Sequence, residues 1–252
     1  MSSIKEHLFD VQNQQAEEWI REHLSDANLE EESEEWQELA NQYSDYQDYL
    51  RDEAEWEAEL KWLKENNSSN IHKFFVDELN ALKIMAESNL DNSTKMAFML
   101  HSNIVVKMSY AYTVTLLESF LGDTLKALIT EREAFLHNAV RNVEEISKAR
   151  YSIAQLSEID LSICSLALKH TTEILFHNIP KVKKVYEQVL GVKLPIDISK
   201  VSKITSLRHD IVHRNGYTID GEPINLSVQD FYQAIEDVKE FASSLQQQIN
   251  AL

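Results

Sequence analysis

An all-α fold is what this sequence predicts, on three observations. Glycine and proline are scarce, four and three among 252 residues, which works against turn-dense sandwiches and barrels. Apolar residues recur at steps of three and four through most of the chain. Helix start and stop signals then punctuate those stretches at suitable distances. One short segment departs from the pattern: Tyr217 to Ile224 reads as a small β-hairpin turning at Asp220-Gly221.

Taken in order, residues 1–67 predict an acidic helical extension and residues 68–252 a helical domain. In the extension Trp36, Leu39, Tyr43, Tyr46 and Leu50 keep the helical step, and Trp56, Leu60 and Leu63 resume it after a slip. All four tryptophans lie in this extension. Residues 1–65 carry 20 Asp/Glu against 5 Lys/Arg, a net of −15 within a total of −18. An acidic hairpin docking its aromatic stripe is the plainer expectation. The sharper one is an arm that binds a partner or imitates a polyanion. Asn66-Asn67-Ser68-Ser69-Asn70 is the most linker-like stretch of the chain.

Beyond it, a helix is expected from Ile71 to Ser88, then a break over Asn89 to Thr94, then a long helix from Lys95 to Ile129. Between Lys107 and Asp123 that helix has one charged residue, Glu118. A helix apolar on every face is buried, and a carboxylate within it needs a partner. Thr130-Glu131-Arg132-Glu133 has the form of a capping box opening a helix to Arg150. Ser157 to Asn178 reads as the next helix, stopped by Pro180. Lys181 to Leu190 follows, closed by Gly191. Another helix begins near Asp197 or Ser199 with the ladder Ile198, Val201, Ile204, Leu207 and Ile211, and Asn215-Gly216 ends it. Ser227-x-x-Asp230 caps the last, which runs to Ile249.

Composition narrows the chemistry. No glycine-rich phosphate loop is present, and a single cysteine, Cys164, leaves no internal disulfide framework. MSSIKEHLFD has no signal-like apolar core and no apolar run approaches about 18 residues, so the expectation is a cytoplasmic chain without membrane contact. No cofactor is expected. Net charge alone argues against nucleic acid, but its distribution does not. Residues 169–214 hold nine Lys/Arg against four Asp/Glu, and local field steers a polyanion more than net charge does.

The informative string is Leu207-Arg208-His209-Asp210-Ile211-Val212-His213-Arg214-Asn215-Gly216. It gathers imidazoles and guanidiniums at a helix C-terminus, where the dipole favours cations. An imidazole beside a guanidinium suits RNA cleavage. The histidine moves a proton at the ribose 2′-hydroxyl or the leaving 5′-oxygen, and the arginine holds charge building on phosphate. The substrate supplies the nucleophile, so the chemistry calls for no metal. Arg208 and His213 are about 140° apart around an ideal helix, so a site shared by two chains would suit them. His209-Asp-Ile-Val-His213 is also H-D-x-x-H, one methylene short of the zinc-protease pattern and lacking its continuation. His170 and His177 are the available extra ligands for that weaker reading.

R-x4-H, followed by Arg-Asn-Gly, a short hairpin and a last amphipathic helix, resembles the HEPN superfamily. The string Ser109-Tyr-Ala-Tyr-Thr-Val-Thr-Leu-Leu-Glu118-Ser-Phe-Leu-Gly-Asp123 is similar to the long early helix of those domains. The resemblance covers roughly residues 95–250 and leaves the acidic extension unaccounted for. It implies a helical bundle that dimerises with its motifs facing each other. It also implies a metal-independent endoribonuclease of the kind found in toxin–antitoxin, antiphage and RNA-processing systems. Arg208 matches the motif arginine, His213 the motif histidine and His209 the polar position between them. Asn215 stands where some members carry a modifiable tyrosine; here the tyrosine is Tyr217. Other members keep the fold without the activity and act as binding modules.

Around that motif, Glu118 is expected to orient Arg208, with Asn215 in support. Lys181, Lys183, Lys184, Lys203 and Arg214 are the candidate RNA contacts. The expected partners are RNA, a second copy of the chain, and an antitoxin or regulatory protein meeting the acidic extension.

Overall fold

The computed structural model describes residues 2–26, 29–88, 95–152 and 162–252. Helices make up 78% of the chain, and no strand occurs among the described residues. The chain divides into two compact units, Met1–Trp62 and Leu63–Leu252.

The first unit holds α1 (Ser2–His23) and most of α2 (Glu34–Glu65). Ser33 begins α2 by accepting a hydrogen bond from the Trp36 N–H at 3.2 Å, as an N-cap serine does. Glu35 accepts from both the N–H and the hydroxyl of Ser25, each at 2.7 Å, and these bonds hold its carboxyl below the usual range. The aromatics join the two helices: Trp19 packs on Tyr43 at 5.4 Å, and the Arg21 guanidinium lies over the Trp36 ring at 5.1 Å. Tyr46, Tyr49 and Leu50 stay exposed.

The second unit is built on one central helix. Its elements are α3 (Ser68–Ser88), α4 (Lys95–Glu131), α5 (Glu133–Asn142), α6 (Glu144–Ser147), α7 (Ile163–Thr171), α8 (Ile179–Leu190), α9 (Ser199–His213) and α10 (Val228–Asn250). α4 packs against α3, α5, α7, α9 and α10. Leu117, Leu121 and Leu125, spaced by four, are fully buried. The stretch Asn103–Glu131 is also long and apolar enough to cross a membrane by length and composition alone. It is not buried all round. Ile104, Met108 and Tyr112 are 57%, 67% and 48% exposed, so the expectation of burial on every face fails along this stripe.

Side-chain caps begin several of the helices. Asn178 caps α8, Pro180 sits in its first turn, and Gly191 closes it with φ +72°. Proline belongs at such a position, since the first turn has no use for its missing N–H; Pro180 starts this helix rather than stopping the one before. The capping box read at Thr130 does not form. The Thr130 hydroxyl donates back to the Lys126 carbonyl at 2.9 Å, α4 continues to Glu131, and the chain turns at Arg132. A second break at Val143 separates α5 from α6. The expected break over Asn89 to Thr94, and most of the expected start of the helix at Ser157, lie outside the described residues. α10 has its capping box, with Ser227 and Asp230 bonded reciprocally. Its inner face is Phe231, Ala234, Ile235, Val238, Phe241, Ala242, Leu245 and Ile249.

The expected hairpin reduces to one antiparallel bridge between Tyr217 and Pro223. Thr218 donates to Glu222 at 2.8 Å, and Ile224 donates to Gly216 at 2.8 Å. Pro223 has no N–H to extend the ladder.

Candidate functional site at the end of α9

The motif sits on the last turns of α9, and the start of that helix is fixed well away from it. Asp197 accepts from the N–H and hydroxyl of Ser199, both at 2.9 Å, which lowers its carboxyl pKa. Val201 and Ile204 are buried. Lys200 ties α9 to α10 through Asp237 at 2.9 Å and Glu240 at 3.0 Å. At the far end the Arg214 N–H closes the helix on the Asp210 carbonyl at 3.0 Å. Asn215 and Gly216 follow with φ +54° and +80°.

His209 and His213 come together, their ring centroids 4.7 Å apart on one exposed face. Arg208 does not join them. α9 stays helical through His213, so the arginine points about 140° away. It is half-buried, and its Nε is buried without a hydrogen-bond partner. Arg214 is held by an ion pair to Asp210. Asn215 is exposed at the turn, and Lys203 is exposed further back on α9.

The other candidate lysines act elsewhere. Lys181 pairs with Glu145 of α6, which holds its pKa above the usual lysine range. Lys183 donates to the Ile196 carbonyl at 3.1 Å, just ahead of α9. From the first residue of α9 to His213 is roughly 20 Å along the axis, so Lys183 serves the opposite end of the helix from the motif. Lys184 is exposed. Glu118 forms no ion pair with Arg208. Its Oε1 is buried without a hydrogen bond, and it faces His177, whose Nδ1 lies 3.8 Å away.

Two features escaped the sequence reading. Lys107 of α4 reaches the turn after the motif: a Cβ on Gly216 would lie 2.8 Å from its Nζ. Its one sequence signal is that it borders the uncharged part of α4. The second is a polar chain at the end of α7. Tyr151 Oη meets His170 Nε2 at 2.5 Å, and His170 Nδ1 meets Glu173 at 2.7 Å. His170, Glu173 and Lys181 line a cleft of about 340 Å³. The i, i+3 spacing of His170 and Glu173 was visible in the sequence; Tyr151 was not. Among the described residues, no group of three His, Cys, Asp or Glu is placed to share a metal ion. Comparison with protein-family models, curated proteins and solved structures gives no match.

Proposed function

We propose that Leu63–Leu252 is a HEPN-like domain and that the chain is a metal-independent endoribonuclease acting as a homodimer. The observation that carries the reading is the pairing of His209 and His213 on the last turns of α9, with Arg208 directly before His209 in the chain. His213 takes the proton of a ribose 2′-hydroxyl as that oxygen attacks phosphorus, or supplies one to the departing 5′-oxygen. The P–O5′ bond breaks, leaving a 2′,3′-cyclic phosphate and a 5′-hydroxyl. Arg208 neutralises the phosphate charge that builds on the way.

Because Arg208 and His213 face different directions on one helix, a complete site draws them from two chains. The exposed apolar stripe Ile104, Met108 and Tyr112 on α4 and the exposed Val212 on α9 supply surface for such a pairing. The acidic first unit is read as the contact for a regulatory protein, in a toxin or antiphage setting in the cytoplasm.

The test incubates the purified full chain with a mixed RNA pool in EDTA, beside His213→Ala and Arg208→Ala, and maps the ends. Cleavage by wild type alone, with cyclic-phosphate ends, is the expected result. A folded dimer that leaves the pool intact refutes the nuclease. The partial burial of Arg208 favours a second reading, an RNA-binding module without activity, and retention of RNA without cleavage would select it.

A further inference from the structure

The turn that ends α9 carries more unused hydrogen-bonding capacity than its fold requires. Asn215 and Gly216 both have positive φ, and they follow Arg214, whose φ is −115° and ψ 20°. A residue with ψ near zero followed by left-handed ones turns successive N–H groups toward one side, an arrangement of the kind that binds anions. The Arg214 N–H is spent on Asp210 and the Tyr217 N–H on Arg214, while neither the Asn215 nor the Gly216 N–H meets an acceptor among the described residues. Gly216 is nonetheless a buried position.

Lys107 supplies the matching charge. It is half-buried, with neither ion pair nor hydrogen bond among the described residues. Its Nζ, Cε and Cδ would lie 2.8, 3.5 and 3.7 Å from a Cβ at position 216. The glycine is therefore required for its backbone angle, and its missing Cβ leaves the space that the lysine end occupies. An ammonium without a counter-anion, standing beside two free N–H groups, is a half-made phosphate site.

We infer that Lys107 and the Asn215-Gly216 backbone form a phosphate-binding subsite next to His213, occupied by an RNA phosphodiester neighbouring the one that is cut. This rests on the endoribonuclease reading for the identity of the phosphate. The subsite positions the strand and takes no part in proton transfer. It also gives the motif a cation from α4, a helix the R-x4-H string does not include.

The experiment uses the full chain and a short 2′-O-methyl oligoribonucleotide, which lacks the attacking hydroxyl and so reports binding alone. Affinity is measured across a salt series for wild type, Lys107→Gln and Lys107→Arg, with thermal melts to show that each is folded. Loss of one phosphate contact should weaken Lys107→Gln roughly threefold to tenfold and flatten the salt dependence by about 0.7 in log–log slope. Lys107→Arg should retain most of the affinity. On cleavable RNA, the same change should act through KM more than through kcat.

Wild type and Lys107→Gln with equal affinity and equal slope would overturn the subsite and leave the nuclease reading intact. Failure of wild type itself to bind RNA would overturn both. A separate arm measures thermal stabilisation by inorganic phosphate and by ATP. Stabilisation lost in Lys107→Gln, without RNA binding, would assign the pocket to a free phosphate or nucleotide and overturn the RNA assignment.

Discussion

Glu118 Oε1 and His177 Nδ1 stand 3.8 Å apart, close enough for charge to be felt and too far for a hydrogen bond. The carboxylate side chain is 25% exposed and the imidazole 44%. Such a pair is worth at most about 1 kcal/mol, and a buried oxygen without a donor offsets part of that. Glu118→Gln is therefore expected to leave the melting temperature unchanged or slightly higher. His177→Ala, which strands the carboxylate, is expected to lower it. Thermal melts of both at neutral pH check this, and a larger loss in Glu118→Gln would contradict it.

Tyr186 is fully buried on α8, and its hydroxyl donates to the Leu121 carbonyl of α4 at 2.7 Å. Burial pushes its phenol well above the usual tyrosine range, so it stays a donor throughout the working range. Tyr186→Phe removes that donor without changing the ring. The expected cost is about 1 kcal/mol, or roughly 2–4 °C in Tm for a unit of this size. Calorimetry on the full chain measures it directly.

How much of this was legible in the sequence divides along physical lines. The α8 caps at Asn178 and Gly191 and the α10 box at Ser227 were readable, because a cap is settled by residues within one turn of it. Pro180 and Thr130 were misread for a related reason. The same residue type can end a helix or begin one, and a threonine hydroxyl can cap forward or bond back to the previous turn. Charge partners on different helices were not readable. His177 lies 59 positions from Glu118, and the engagement of Lys181 by Glu145 depends on how α6 and α8 pack. Arg208, His209 and His213 could be selected as a string, but that Arg208 turns inward while the histidines face out follows from the packing of α9.

The α10 capping box gives a pH-dependent expectation. Hydrogen bonds from the Ser227 hydroxyl and N–H hold the Asp230 carboxyl below the usual range. A carboxyl lowered on folding contributes stability that is present above its unfolded pKa and lost as the pH falls through the folded value. Ser227→Ala should cost about 1 kcal/mol near neutrality. The gap between variant and wild type should shrink in acid, once Asp230 is protonated. Urea melts at neutral pH and at about pH 3 test this; an unchanged gap would show that the carboxyl is not involved.

Asn215 and Gly216 predict opposite responses. A side chain at φ +80° is strained by about 1–2 kcal/mol, so Gly216→Ala should lower Tm and displace the Lys107 amine, whose flexible end can give way. Asn215→Gly, at φ +54°, should be neutral or mildly stabilising. The comparison needs only thermal melts of the two variants. Similar losses in both would mean that the turn is held by its side chains rather than by its backbone angles.

The packing of α10 against α3, α4 and α9 has a consequence for how the protein is made. Gln246 bonds to the Ser68 hydroxyl across 178 positions at 3.1 Å, so the first and last helices of the second unit close on each other. Of the second unit, a chain emerging from the ribosome presents α3 and α4 first. The motif helix emerges before the partner that braces it through Asp237 and Glu240. Until translation has passed Asn250, the faces of α3, α4 and α9 that α10 covers stay open. The second unit is therefore closed only when its last helix docks on its first.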